Sequence, residues 1–169
     1  TLSVSSAASD VYKRQDSVCM KKILFFIFII YKIHAQGFSI ARIHYSGGGD
    51  WYSDPSSIPN LINFVINNTN IKMDNKEYRL KLDDPKIFDH TYIYITGHGN
   101  IRFNENEILN LRKFLLNGGF LHADDNYGMN KSFRREMKKV FPEKEWIELP
   151  KDHNIYNTYF NSVSYTHLT

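Results

Sequence analysis

Short β-prone runs alternate with helical ones along residues 38–149, and that order constrains the fold more than any other feature. The run FSIARIHY at 38–45 carries apolar residues on both alternating faces over most of its length, as a strand buried between two layers does. Ile58, Leu61, Ile62, Val65 and Ile66 then recur at helical spacing, with Ser57 placed to cap and Pro59 in the first turn. A second strand is expected within 78–82, closed by Asp83-Asp84-Pro85, and a third at 92–96, ending at Gly97-His98-Gly99. Asn104 caps the next helix, with Glu107 in the capping-box position and Glu105 favoured by the helix dipole. Ile108, Leu111 and Leu115 form its buried stripe, and Gly118 suits the position after its end. A fourth strand is expected at 119–123, with Phe120 in the core. Then comes a helix turning Phe133, Met137, Val140 and Phe141 inward as far as Pro142, and a fifth strand at 146–149.

Strands alternating with helices imply an α/β fold, a mostly parallel sheet with helices on both faces. Ligands of such sheets bind beyond the carboxyl ends of the strands. The loops expected there are 46–53, 97–100 and 124–130, and they hold most of the glycine, histidine, aspartate and exposed-looking aromatic residues.

The most unusual of these loops is HYSGGGDWY at 44–52. Its three glycines lack the Gly-Lys-Ser/Thr ending of a phosphate loop and the spacing of a dinucleotide fingerprint. Gly47, Gly48 and Gly49 instead permit positive φ and close backbone approach, so that Asp50, Trp51 and Tyr52 fold over the sheet edge. Trp51 and Tyr52 are stacking surfaces for a sugar or peptide, and a lid beside Asp124 is the expected arrangement. Gly97, His98, Asp124 and Asn126 complete the candidate ligand surface. Asp124 and Asp125 are adjacent, so within a strand they point to opposite faces and cannot both meet one ligand. A binding role for one and a capping role for the other stand beside a purely structural role for both. His98, between glycines, is expected exposed on a tight turn, whereas His122, between Leu121 and Ala123, is expected in the core. His44, His98 and Asp124 are residue types that bind a divalent cation, but nothing in their spacing demands a metal, and none is assigned. Lys131, Arg134, Arg135, Lys138 and Lys139 read as the solvated face of a helix, interrupted by Glu136.

Composition becomes informative once the ends are set aside. Residues 1–19 and 163–169 resemble translated adapter scars and are expected to be non-native. From Met20, two lysines, an apolar run at 23–31 and Ala35 form a signal-peptide pattern over 20–35. Cleavage after Ala35 is expected, with an uncleaved anchor as the alternative; the run is short for a span. The expected domain is a single α/β unit over 36–162, exported to the periplasm or beyond and cut short at its C-terminus. Removing Lys13, Arg14, Lys21, Lys22 and Lys32 from the 21 Lys and Arg, and Asp10 and Asp16 from the 18 Asp and Glu, leaves 16 of each. The domain is therefore formally neutral, which argues against a nucleic-acid partner. The single cysteine is Cys19, so the exported domain has no thiol nucleophile, disulfide or Cys-ligated metal.

Three segments in order, SIARIHYSGGGDWY, YIYITGHGNIRFNENEILNLRKFLLNGGFLHADDNYGMN and FRREMKKVFPEKEWIELPKDHNIY, resemble the bacterial "domain of unknown function 4159" family. The resemblance covers nearly all of residues 38–160. It implies a three-layer flavodoxin-like sheet of the class I glutamine amidotransferase-like kind, with no established activity and no cofactor. Amidotransferases of that kind place a cysteine nucleophile on the turn after a central strand; here the similar turn is Thr96-Gly97-His98-Gly99, so that chemistry is absent. Two functions remain. One is a non-enzymatic envelope module binding a glycan, peptide or partner protein. The other is a hydrolase-like enzyme using Asp124 or Asp125 with His98 as general acid and base, with or without a metal. The absence of a legible nucleophile–base pair favours the first.

Overall fold

A computed structural model of the chain describes residues 37–159. The expected flanks at 1–19 and 163–169, the signal peptide at 20–35 and Cys19 lie outside the described residues.

Four strands form one sheet: β1 (Ile40–Ile43), β2 (Tyr78–Leu80), β3 (Tyr92–His98) and β4 (Phe120–Tyr127). All pairings are parallel, in the order β2-β1-β3-β4, which is the beginning of the flavodoxin-like order. The helices are α1 (Ser57–Asn68), α2 (Glu105–Leu116) and α3 (Asn130–Val140), with a short 3-10 helix (Pro85–Asp89) between β2 and β3. Parallel neighbours need crossover connections, and the helical runs supply them between β1 and β2 and between β3 and β4.

Alternation along the strands divides the core in two. Ile40 and Tyr94 turn to one face, where Ile58 and Ile62 of α1 cover them. Ala41, Ile43, Ile93 and Ile95 turn to the other, against Ile87 of the 3-10 helix, Leu111 and Phe114 of α2, and Phe133 and Val140 of α3. β1 is buried along its whole length, as its apolar residues on both faces require.

Helix starts follow side-chain chemistry. The Asn104 side chain accepts from the Glu107 main-chain N–H at 2.9 Å, and Glu107 accepts from the Asn104 N–H at 2.8 Å, so the expected capping box is complete. Ser57 differs from expectation. It is the first residue of α1 and not its cap, and its hydroxyl donates back to the Asp54 carbonyl at 2.9 Å.

Three further expectations are corrected at the β4 side. Residues 146–149 form no strand; Trp146 packs on Phe133 at 5.8 Å with the Arg134 guanidinium over its ring. β propensity records fit to a pleated, half-buried surface, and without ladder partners the run stays irregular. Phe120 is 49% exposed and not core. His122 is exposed as well, its Nδ1 bonded to the Tyr92 hydroxyl at 2.6 Å. Both sit on the α1 side of β4, whereas Leu121 and Ala123, on the opposite face, pack into the larger core.

Candidate functional site

The carboxyl end of the sheet is organised by the segment that follows β1. Tyr45 is buried, and its hydroxyl donates to the Thr96 carbonyl at 3.1 Å. Beyond it, residues 46–50 lie against the end of β3 and the residues that follow it. Gly49 N–H donates to the Asn100 carbonyl at 2.9 Å, Arg102 N–H to the Ser46 carbonyl at 2.8 Å, and the Asn100 amide to the Gly47 carbonyl at 2.8 Å.

These contacts explain the glycines. Gly47 has φ +118°, and a Cβ there would sit 2.6 Å from Arg102 N. At Gly49 a Cβ would meet the His98 carbonyl oxygen at 2.7 Å. The loop is a seam between two strand ends, and its backbone groups are engaged with protein rather than turned to a phosphate.

Asp50 is the pivot of the seam. Its carboxylate accepts from the His98 main-chain N–H, and its second oxygen lies 3.0 Å from His98 Nδ1. The main-chain bond is the largest influence holding the Asp50 carboxyl below the usual carboxylate range, and the His98 ring adds to it. Burial, helped by the Asp50 charge, pushes the Tyr45 phenol up to about 12. His98 is the last residue of β3 and not part of a tight turn, and its side chain is 52% exposed. With Nδ1 facing Asp50, Nε2 is the ring nitrogen free to meet a ligand.

Trp51 turns the other way from the expected lid. Its ring lies on His44, centroids 4.2 Å apart and planes 31° from parallel, with Tyr52 edge-on at 5.7 Å. Trp51 packs partly into the larger core, while Tyr52 is 64% exposed. His44 and Trp51 border a cavity of about 380 Å3 whose other walls are Arg79, Leu80, Lys81, Asp83 and Asp84, at the end of β2. Asp124 lies at the far side of the edge, two strands from β1.

The same loop does reach β4, through Ser53, whose hydroxyl accepts from the Asn126 amide at 3.4 Å. Arg42 holds this part of the loop from below. It is fully buried, pairs with Glu77, and donates to the carbonyls of Ser53 at 3.0 Å and Asp54 at 3.2 Å and to the Ser57 hydroxyl at 3.2 Å. Asp54, alone among the described non-glycine residues, has positive φ, at 53°.

β4 runs on through Tyr127, so Asp124 and Asp125 do point to opposite faces. Asp124 accepts from the Tyr94 hydroxyl at 2.9 Å. Asp125 accepts from the N–H groups of Met129 at 2.8 Å and Asn130 at 3.0 Å, capping α3. His44, His98 and Asp124 therefore have three different partners and do not converge, and no group of three potential ligands for a metal occurs among the described residues.

Gly47–Gly49, Asp50, Gly97, His98, Asp124 and Asn126 thus share one edge. What the residue pattern did not foretell is the pairing of Asp50 with His98, the stack of Trp51 on His44, and the roles of Arg42 and Arg79. Arg42 carried a signal: a lone cation in an otherwise apolar strand needs a buried anion, and Glu77 is the acidic residue just before β2. The basic face of α3 also hides a buried carboxylate. Glu136 is fully buried. Burial raises its pKa, but Lys139, the Phe103 N–H and Arg135 together outweigh that and hold it low.

No helix among the described residues is long and apolar enough to cross a membrane. The model of the family described as "Domain of unknown function (DUF4159)" matches residues 39–166. A comparison with curated proteins finds no match.

Proposed function

The chain belongs to this family of unknown function, and from that premise we propose that it is an exported, non-enzymatic envelope module binding a glycan, peptide or partner protein at the carboxyl edge of its sheet. The observation that carries the reading is the loop at 46–56. Asp50 and Gly49 fasten it to β3, Ser53 links it to β4 and Arg42 holds it from below. So fastened, the loop presents an open aromatic surface at Trp51 and Tyr52 rather than an enclosed reaction chamber. Export rests on the charged and apolar pattern at 20–35. Mass spectrometry of the native protein should find Gln36 at the N-terminus; recovery of Met20 in a membrane fraction would mean an anchor instead. Binding is tested by screening the folded domain against glycan and peptide panels. Trp51→Ala or His98→Ala should weaken any hit, and a hit indifferent to both would sink the reading.

One observation favours a hydrolase instead. Asp50 orients His98 so that Nε2 can take a proton from water, the arrangement a general base requires. Asp124 and Asp125 are engaged elsewhere, so this reading runs through Asp50. Turnover of ester or glycoside substrates that disappears in His98→Ala would establish it.

A further inference from the structure

We infer that the cleft between His44–Trp51 and the end of β2 is a saccharide subsite, taking a neutral pyranose chain with one sugar against the aromatic pair; this rests on the reading of the carboxyl edge as a binding surface. The cleft is an open groove of about 380 Å3. One wall is aromatic, because His44 and Trp51 stack at 4.2 Å. The other walls carry both signs of charge, Arg79 and Lys81 with Asp83 and Asp84; Arg79 also pairs with Glu77 at 3.3 Å, and one Asp84 oxygen accepts from the Lys86 N–H at 2.9 Å, leaving the second for a ligand.

That mixed lining discriminates among ligands. A polyanion meets two carboxylates and a polycation meets two basic groups, so neither gains across the whole site. Sugar hydroxyls both donate and accept. They can donate to Asp83 and Asp84 while accepting from Arg79 and Lys81. The weakly polar C–H face of a pyranose supplies the apolar surface that the rings require. The residues come from two loops held in register: Arg42 in β1 pairs with Glu77 immediately before β2, and the His44 N–H donates to the Leu80 carbonyl at 2.7 Å. The cleft is therefore built before any ligand arrives, which lowers the entropy lost on binding.

Trp51 and Trp146 are the only tryptophans in the chain, so in a Trp146→Phe background Trp51 alone reports binding by fluorescence. The full chain is titrated with cellotetraose, chitotetraose and an Ala-Glu-Lys-Ala peptide, each to about 10 mM. At least one tetrasaccharide should give a saturable change and the peptide none. Arg79→Ala and Asp83→Asn, both at exposed positions, should each weaken binding about tenfold; Asp83→Asn should leave the melting temperature unmoved, and Arg79→Ala should lower it only by what the ion pair with Glu77 contributes. Trp51→Ala is the less clean variant, because that ring also packs on the core. No saturable change with either sugar overturns the inference, as does tighter binding of the peptide. If a sugar binds and His98→Ala weakens it while Arg79→Ala does not, the ligand lies at the β3 end. The edge reading then stands and the saccharide cleft falls.

Discussion

Asp50 accepts hydrogen bonds from both the main chain and the ring of His98, so one carboxylate fixes a strand end and orients its terminal side chain. The two residues are 48 positions apart, one in the loop after β1 and the other closing β3. This contact makes the glycine loop part of the sheet edge and not a free lid. It also gives the site its clearest dependence on pH.

The folded state holds the Asp50 carboxyl below its ordinary range, so between the two values the unfolded chain binds more protons and stability rises with pH. The contribution is complete above the ordinary carboxylate value of about 4 and is lost as pH falls through the lowered one. Asp50→Asn should therefore unfold at lower urea than the parent at pH 6, with the gap closing below about pH 4. Urea midpoints from pH 2 to 6 measure it. A gap of constant size would show that the charge of Asp50 contributes nothing.

Neighbouring glycines should respond differently to one added methyl group. Gly48 has φ +93° with open space around its would-be Cβ, so Gly48→Ala carries backbone strain alone, about 1 kcal/mol. Gly49 has ordinary φ, but a Cβ would lie 2.7 Å from the His98 oxygen and 2.8 Å from the Asn100 oxygen, main-chain atoms that cannot swing aside. Gly49→Ala should cost about 2–3 kcal/mol. Denaturant curves with equal slopes should rank them in that order, and the reverse order would refute the seam described for residues 46–50.

Arg42 and Glu77 form a buried pair, with side-chain exposures of 1% and 7%. Arg42→Met leaves the Glu77 carboxylate with Arg79 alone, at 3.3 Å, and frees the carbonyls of Ser53 and Asp54, at a cost of about 3 kcal/mol. Replacing both, as Arg42→Met with Glu77→Leu, should recover part of that loss. A double variant less stable than Arg42→Met alone would mean that the ion pair of Glu77 with Arg79 outweighs the relief of its burial.

The sheet was legible because its signals are local and repeated. Two-faced apolar runs, the Asn104–Glu107 capping box and Gly118 after α2 each act within a few residues, and the parallel arrangement follows from their order. The site was legible only as a set of loops. Asp50 and His98 are both polar residues of these loops, but nothing in their spacing joins residues 48 apart, whereas Asp124 and Asp125 are adjacent in the chain. Those two were read correctly as opposed in direction. Their partners, Tyr94 and the start of α3, depend on the β3–β4 register, which places Thr96 beside Asp124. Trp51 and Asp124 both follow carboxyl ends, which alone suggests a lid, yet β1 has β2 on one side and β3 on the other. The ring turned toward β2.

Phe120 tests the least anticipated part of the fold. An apolar residue opening a strand reads as core, but it falls on the alternation shared with His122 and Asp124, and it remains 49% exposed. It stacks on Tyr92, ring centroids 5.3 Å apart. Phe120→Ala should therefore cost about 1 kcal/mol, the loss of a half-buried ring and one aromatic pair. Leu111→Ala, at a position with no exposure, should cost about 2–5 kcal/mol. Urea unfolding of both variants at matched protein concentrations gives the comparison. If Phe120→Ala proves as damaging as Leu111→Ala, this face of β4 is covered in solution. A midpoint that then rises with protein concentration would identify the cover as a second copy of the chain.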